Sequence, residues 1–245
     1  MLEVDSRTDH VADLKEYGFT VCRKLFDRQT VDWARELVLE NAGLYKNTRP
    51  TPSSRHLAGF HRFPELEPLH GLLTNDPTIQ RLMDCVLEGE EVRTIGLSDI
   101  TINRSQNWHV DLLRGKYSLY LDECPTWGPG GGGVYKVLFY LNDSNNLKVI
   151  DGSHLRPIPL DNDYYAEPAD DQEVSCVAVE AGDVVVMDLR CSHRGADEAA
   201  YASGRWDEDP RILVSTVLGG MDHKLTEAME TGNFFRLLDW TNRNP

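Results

Sequence analysis

The chain has 245 residues, of which 40% are hydrophobic and 27% are charged, a composition that predicts one soluble globular domain. Its formal net charge of −15 argues against nucleic acid or an anionic membrane as a partner, because both require a basic face. The five cysteines are scattered without a CxxC pair, and no signal or membrane-spanning segment is present, which predicts a cytoplasmic location. An acidic surface favours cationic ligands, unless the reactive site is locally basic.

The N-terminal third is predicted to be mainly helical. An amphipathic turn ends at Gly18, a short extended segment follows at Phe19–Cys22, and Asp27 can cap a helix with apolar residues every three or four positions. Residues 47–65 are polar and punctuated by proline, which predicts a loop. A second helix is predicted in NDPTIQRLMDCVLEG, with Asp76 as its cap.

From about residue 92 the hydrophobic period changes from helical to alternating. Segments rich in β-branched or aromatic residues predict seven strands, which are VRTIGLSDITIN, YSLYLD, VYKVLFYLND, LKVID, VSCVAVE, DVVVMDLRCS and RILVSTVLGG. Seven short strands separated by turns predict a closed or double-sheet β core such as a jelly roll. The single domain is thus expected to have a helical part over about 1–91, a jelly-roll core over about 92–220 and a C-terminal helix or tail over about 221–245.

The stretch NWHVD places His109 and Asp111 two positions apart. On a strand, residues i and i+2 project from the same face, so the imidazole and the carboxylate can converge on one point. Together with a second, distant histidine they would form the facial triad that holds non-haem Fe(II) and leaves coordination positions open. Alone the spacing is weak, because HxD occurs often by chance.

The third ligand is expected at the end of a later apolar strand, AGDVVVMDLRCSHRG, which finishes in His193. The other histidines fit less well, because His154 lies in a DGSH turn and the rest lie in predicted helices or loops. An arginine near the metal could hold an organic acid by two parallel hydrogen bonds, and Arg211 opens the strand RILVSTVLGG. A surface arginine on an acidic protein is the alternative interpretation.

Several segments in order resemble the phytanoyl-CoA dioxygenase family of Fe(II)- and 2-oxoglutarate-dependent oxygenases, over about residues 14–219. LKEYGFTVCRKLFDRQTVDWAR is similar to the family's opening helix, strand and helix, and WHVD to its HxD motif. YKVLFYLND with LKVIDGSHLRPIP resembles its strand, acidic turn and GSH segment, and EAGDVVVMDLRCSHRG resembles the strand with its distal histidine. Five ordered segments are more specific than any one of them.

The resemblance implies a double-stranded β-helix (jelly-roll) core with the N-terminal helical region packed on it. It implies that His109, Asp111 and His193 are the catalytic ligands of Fe(II). Arg211 would bind the distal carboxylate of 2-oxoglutarate, and Asn103 would be a further contact to this co-substrate. O2 would be the second co-substrate.

Arg205 is a rival to Arg211 for the carboxylate role, because the segment between His193 and Arg211 is long for the family. Arg211 is preferred since it begins a strand, whose rigid backbone can aim the side chain into the barrel. Arg205 lies in a loop rich in Gly and Asp. Asp151 replaces the proline that commonly precedes the GSH motif, which is expected to alter only a turn.

The implied activity is hydroxylation, desaturation or cyclisation at an unactivated C–H bond of a small, amino-acid-like or natural-product molecule, with release of succinate and carbon dioxide. Asp111 disfavours halogenation, because halogenating relatives have a small residue there that leaves room for chloride. Expected substrate contacts, each equally compatible with a structural role, are Arg114, Tyr117, Tyr120 and Trp127. A non-catalytic or metal-sensing binding protein on the same fold is the alternative, and a cupin-like enzyme with another metal is a third.

The segment TWGPGGGGV has the most unusual local composition of the chain. It is no Walker A loop, because no GK[ST] follows at the required spacing. It is interpreted as a flexible linker between two strands or, alternatively, as a lid in which residues 128–133 supply the hinge and Trp127 covers a ligand.

Overall fold

The computed structural model describes residues 9–47, 53–128, 131–157, 168–197, 201 and 208–243. The helices of these residues are α1 (His10–Glu16), α2 (Arg28–Glu40), α3 (Glu67–Thr74), α4 (Pro77–Val86) and α5 (Lys224–Arg243). The strands are β1 (Phe19–Cys22), β2 (Arg55–Ala58), β3 (Val92–Thr94), β4 (Asp99–Ile102), β5 (Val134–Tyr140), β6 (Ser144–Ile150), β7 (Val174–Val179), β8 (Val184–Asp188), β9 (His193–Arg194) and β10 (Ile212–Gly220).

The strands form two antiparallel sheets. The larger sheet has seven strands, in the order β1-β8-β5-β10-β4-β2 with β3 also paired to β10, and the smaller has the order β7-β6-β9. Helices cover the outer face of the larger sheet, so the architecture is a jelly roll with an N-terminal helical layer. This confirms the predicted fold class.

Strand β8 shows how one short strand is buried on both faces. Val184 and Val186 pack in the cluster that contains the N-terminal helices, whereas Val185 and Met187 pack towards the smaller sheet. Successive side chains of a strand point to opposite faces, so a strand covered on both sides must be apolar throughout. The unbroken run VVVM follows from this position.

The helix starts follow the expected capping chemistry. A carboxylate oxygen of Asp27 accepts a hydrogen bond from the backbone N–H of Thr30, 2.8 Å away. Asp76 accepts from the backbone N–H groups of Thr78 and Ile79 at 2.8 and 3.1 Å. Each carboxylate satisfies backbone donors that have no partner within the first turn, and both predicted caps are confirmed.

Two local predictions are wrong. YSLYLD is not a strand but part of a 3₁₀-helix over Gly115–Leu121. With three residues per turn, Tyr117 and Tyr120 lie on one side and pack in the cluster that includes Leu225 and Met229 of α5. The predicted loop over 47–65 contains β2, which pairs in antiparallel register with β4. Pairing at a sheet edge satisfies this backbone, although its sequence has no β-branched residue.

Within the described part of the chain, no helix is both long and apolar enough to cross a membrane.

Asp183, which precedes β8, joins three segments and is fully buried. Its carboxylate accepts hydrogen bonds from the backbone N–H groups of Lys24 (2.8 Å) and Glu180 (2.9 Å) and from the guanidinium of Arg23 (2.8 Å). Asp183→Ala is expected to lower the free energy of unfolding by about 2–4 kcal/mol, because the two backbone donors would lose their partner. Urea unfolding measures this. The exposed control Asp32→Ala should change stability by less than about 0.5 kcal/mol, and an equally small change for Asp183→Ala would contradict the assignment.

Candidate metal centre

Backbone hydrogen bonds bring the two candidate histidine ligands together. His109 and His193 form an isolated antiparallel bridge, in which each backbone N–H donates to the other residue's carbonyl at 2.9 Å. The backbone N–H of Asp111 donates to the carbonyl of Leu189 at 3.3 Å. The HxD motif therefore lies on a single bridge and not on the regular strand that its spacing suggested.

Both imidazoles are oriented by a backbone carbonyl. The Nδ1–H of His109 donates to the carbonyl of Asn107 (2.7 Å), and that of His193 donates to the carbonyl of Cys191 (3.0 Å). These bonds fix the tautomer, so the unprotonated Nε2 atoms are the available ligand atoms. The two ring centroids are 4.2 Å apart.

The carboxylate of Asp111 completes the cluster. Its Oδ1 is 3.5 Å from Nε2 of His109, and its Oδ2 is 3.5 Å from Nε2 of His193. One ligand atom from each residue lies within 4.8 Å of the other two. Two neutral nitrogens and one carboxylate on one side of a common point are the donor set of the facial triad, so these residues fit Fe(II).

The surroundings of the three side chains keep them in the protonation states that bind a metal cation. Burial lowers the pKa of both imidazoles, that of His193 to about 3, so both are neutral near pH 7. Burial alone would raise the pKa of Asp111, but the nearby Lys136 ammonium favours the ionised carboxylate, and this pKa lies well below its usual range. Neutral imidazoles and an ionised carboxylate are the forms that bind a metal cation.

Lys136 is a site residue that the sequence reasoning missed. Its ammonium is 2.7 Å from Oδ2 of Asp111. On β5 it alternates in phase with Leu138 and Tyr140, whose side chains point into the barrel, whereas Val137 packs towards the helices. The sequence did contain a sign of this role, because Lys136 alternates with the inward-facing residues of an apolar strand. A buried ammonium requires a partner, so a lysine at such a position predicts a nearby carboxylate.

A first cavity of about 60 Å³ extends from His193 to Arg211 and is also lined by Lys136, Tyr140 and Tyr201. The guanidinium of Arg211 donates to the hydroxyl of Tyr201 at 3.2 Å and to the hydroxyl of Ser144. A guanidinium and a candidate metal ligand thus line one small cavity.

Asn103 acts on the backbone of Arg211. Its Oδ1 accepts from the Arg211 N–H at 2.8 Å, and its own N–H donates to the Arg211 carbonyl at 2.9 Å. Asn103 adopts a left-handed φ of 49°, a conformation that asparagine tolerates better than most residues. It lines neither of these two cavities, and its contact with 2-oxoglutarate stays a prediction.

A second cavity, of about 180 Å³, lies on the Asp111 side of the cluster. Arg104, Gln106 and Lys136 line both cavities, so the two meet beside the metal centre. Gln106 also contacts Nε2 of His109 through its side-chain amide, and metal ligation at this nitrogen would take the place of that contact.

Of the four predicted substrate contacts, only Arg114 lines the second cavity. Tyr117 donates to a carboxylate oxygen of Asp239 at 2.5 Å, and Tyr120 stacks on Phe235, so both fasten the 3₁₀-helix to α5. Trp127 packs against the apolar cluster that contains Leu225 and Met229 of α5, and it lines neither cavity, which gives the lid interpretation no support.

Three further predictions concern residues outside the metal cluster. Arg205 lies outside the described residues, as do residues 129–130 of the Gly-rich segment. His154 is buried, with Nε2 3.2 Å from the carbonyl of Lys15, and it is not part of the metal cluster.

Helix α5 contributes a wall of the second cavity that the sequence reasoning did not foresee. Asn233, Arg236, Leu237 and Trp240 line it, and their spacing of three and four residues places them on one helix face. In the sequence, Gly232 was the residue that could have indicated this close packing of α5. A Cβ atom there would lie 2.2 Å from Leu113, so this glycine lets α5 approach the segment that follows the HxD motif.

No protein-family model matches the chain, and no curated protein sequence matches it. Solved structures do resemble it. The epimerase SnoN in complex with Fe3+, alpha ketoglutarate and nogalamycin RO is 16% identical, with a TM-score of 0.63 over 86% of this chain and 82% of its own. The alpha ketoglutarate dependent carbocyclase SnoK from nogalamycin biosynthesis is 20% identical, with a TM-score of 0.63 over 89% and 85%.

HygX from Streptomyces hygroscopicus, with nickel, 2-oxoglutarate and hygromycin B bound, is 17% identical, with a TM-score of 0.61 over 87% of both chains. Identities of 20% or less establish likeness of fold. Membership of the phytanoyl-CoA dioxygenase family stays a prediction. The chain has the jelly-roll fold of these non-haem 2-oxoglutarate-dependent enzymes.

Proposed function

We propose that the protein is an Fe(II)- and 2-oxoglutarate-dependent oxygenase that acts on an unactivated C–H bond of a small molecule. The observation that carries the proposal is the buried His109, Asp111 and His193 cluster, which opens onto a cavity that ends at Arg211. The iron, nickel and 2-oxoglutarate named for SnoN and HygX support it, because those proteins share the fold.

Each residue of the site has a separate role in this proposal. His109, Asp111 and His193 would hold the metal. Arg211 would bind the distal carboxylate of 2-oxoglutarate, with Asn103 holding its backbone in place. Lys136 donates to Oδ2 of Asp111 and thereby orients this carboxylate. Bound iron, 2-oxoglutarate and O2 would supply the oxidation, with succinate and carbon dioxide as products.

The second cavity is the proposed substrate site, because Asp111 lines it whereas Arg211 lines the first cavity. Its half-buried walls and a bound substrate would together limit the access of water to the reacting centre. SnoN is named an epimerase and SnoK a carbocyclase, so one fold serves several types of reaction. We propose hydroxylation for this chain, with desaturation or cyclisation as variants, since Asp111 occupies the position that a halide would need. An amino-acid-like or natural-product molecule is the proposed substrate.

Anaerobic addition of Fe(II) and 2-oxoglutarate tests the proposal without knowledge of the substrate. The expected result is a weak visible charge-transfer band, followed on exposure to air by slow succinate release. Zn(II) in place of Fe(II) is the control and should give neither signal. Folded protein that binds Fe(II) but shows neither band nor succinate would overturn the proposal and favour a metal-sensing binding protein.

A further inference from the structure

The second cavity is basic although the chain carries a formal net charge of −15. Its lining includes Arg104, Arg114, Lys136 and Arg236, against the carboxylates of Asp99 and Asp111. Both carboxylates already have partners. Asp99 lies 3.2 Å from the imidazole of His56, and Asp111 faces Lys136 and the metal cluster. A cavity lined by four basic side chains and two carboxylates attracts anions locally and disfavours cationic ligands.

Arg236 stands out among these cations. It is half-buried on α5, and no carboxylate of the described residues lies within 4.0 Å of its guanidinium. Burial lowers the pKa of Arg236, and the more distant Asp99 and Asp111 offset this only in part, while Arg114 adds to it. A guanidinium stays charged in proteins, so its desolvation calls for an anion nearby.

Asn233, one turn before Arg236, gives a second and independent indication. Its side chain is buried, with the residue only 1% exposed, and it lines the same cavity. Neither Nδ2 nor Oδ1 has a hydrogen-bond partner among the described residues. Buried side-chain amides are almost always hydrogen-bonded, so an unpartnered one on a cavity wall indicates a ligand with polar atoms.

Geometry places the three groups together. Asn233 and Arg236 are three residues apart on α5 and therefore share a face, and Arg114 lies where the HxD segment meets the 3₁₀-helix that packs on α5. A guanidinium can bind two oxygens of a carboxylate or phosphate in parallel, and the Nδ2 of an asparagine can donate to a third acceptor.

We propose that the second cavity selects substrates that carry an oxyanion, a carboxylate or a phosphate, which Arg236 and Arg114 bind and to which Asn233 donates a further hydrogen bond. The anion is held at the α5 wall, and the rest of the substrate extends towards Asp111. This inference rests on the proposed oxygenase function for the reaction, but the binding of an anion at α5 can be measured without turnover.

Trp240 provides the probe, because it lines the same cavity. Protein loaded anaerobically with Fe(II) and saturating 2-oxoglutarate, which occupies the Arg211 cavity, is titrated with inorganic phosphate, acetate or neutral acetamide at constant ionic strength. Tryptophan emission should change with phosphate or acetate and not with acetamide. Trp240→Phe should abolish the change. Binding of phosphate alone would indicate a phosphate ester, and comparable binding of acetate would indicate a carboxylate.

Arg236→Met should weaken binding of the anion at least about tenfold, since a charge-assisted contact is lost. The matched control is Arg243→Met on the same helix, whose side chain is exposed and pairs with Asp239, and it should bind within twofold of the wild type. Circular dichroism checks the helix content. If the methionine variant lost its helix, Arg236→Gln would decide in its place, because it removes the charge but keeps hydrogen-bonding groups.

Two results would overturn the inference, namely no response to either anion and equal affinity in the Arg236 variant and the wild type. The charge-transfer band of the wild type is a separate readout. Anion binding at α5 without that band would remove the proposed oxygenase function and keep the anion site. The band without anion binding would keep the proposed oxygenase function and remove the anion site.

Discussion

Asp111→Ala should remove tight Fe(II) binding and abolish 2-oxoglutarate turnover. The carboxylate is the only charged ligand of the cluster among the described residues, and it also faces the Lys136 ammonium at 2.7 Å. Its loss would leave a buried cation beside two neutral imidazoles, where a second cation binds poorly. Since loss of a residue that merely supports a ligand costs 10- to 100-fold, loss of the ligand should lower succinate release by at least about 100-fold.

Iron content and succinate release, measured together, separate the possible causes. Asp32→Ala, an exposed aspartate on α2, is the matched control and should retain both. Asp111→Asn keeps the shape of the side chain and removes its charge, so it should also lose iron. An active Asp111→Ala protein with normal iron content would refute the ligand assignment.

Arg211→Met should raise the KM for 2-oxoglutarate by about 100-fold, with a smaller effect on kcat. Two parallel charge-assisted hydrogen bonds to a carboxylate would be lost, and about 3 kcal/mol corresponds to a factor of about 100. The hydroxyls of Tyr201 and Ser144, which now accept from this guanidinium, would remain as weak donors to the carboxylate. Arg211→Lys should fall between the two proteins, because lysine cannot bind in parallel.

Steady-state kinetics with varied 2-oxoglutarate measure the effect through uncoupled succinate release. Arg205→Met is the informative comparison, since Arg205 competes for the same role in the sequence. We expect its KM to stay within twofold of the wild type. A large rise in KM for the Arg205 variant, together with a normal KM for the Arg211 variant, would transfer the role to Arg205.

The metal cluster could be foreseen because local chemistry marks it. A two-residue HxD spacing and a histidine at the end of a buried strand are visible in the letters, and the structure brings His109, Asp111 and His193 together. The fold class followed from the alternating segments after residue 92. The strand predicted at YSLYLD failed because six residues are too few to separate a period of two from a period of three. Tyr117 and Tyr120 are three residues apart, which suits a 3₁₀-helix with one face packed on α5.

The substrate side of the site could not be foreseen in the same way. Its wall depends on α5 returning from the end of the chain to lie against the HxD segment, and such long-range packing leaves little trace in a local pattern. Gly232 within the helix was a trace, since glycine weakens a helix unless close approach requires it. From the sequence alone, Arg236 is interpreted as a surface charge, because its burial depends on where α5 packs.

The reciprocal hydrogen bonds between the backbones of His109 and His193 involve no metal. The backbones of these two histidines are therefore held by the polypeptide's own hydrogen bonds, and less conformational entropy would be lost when a metal binds.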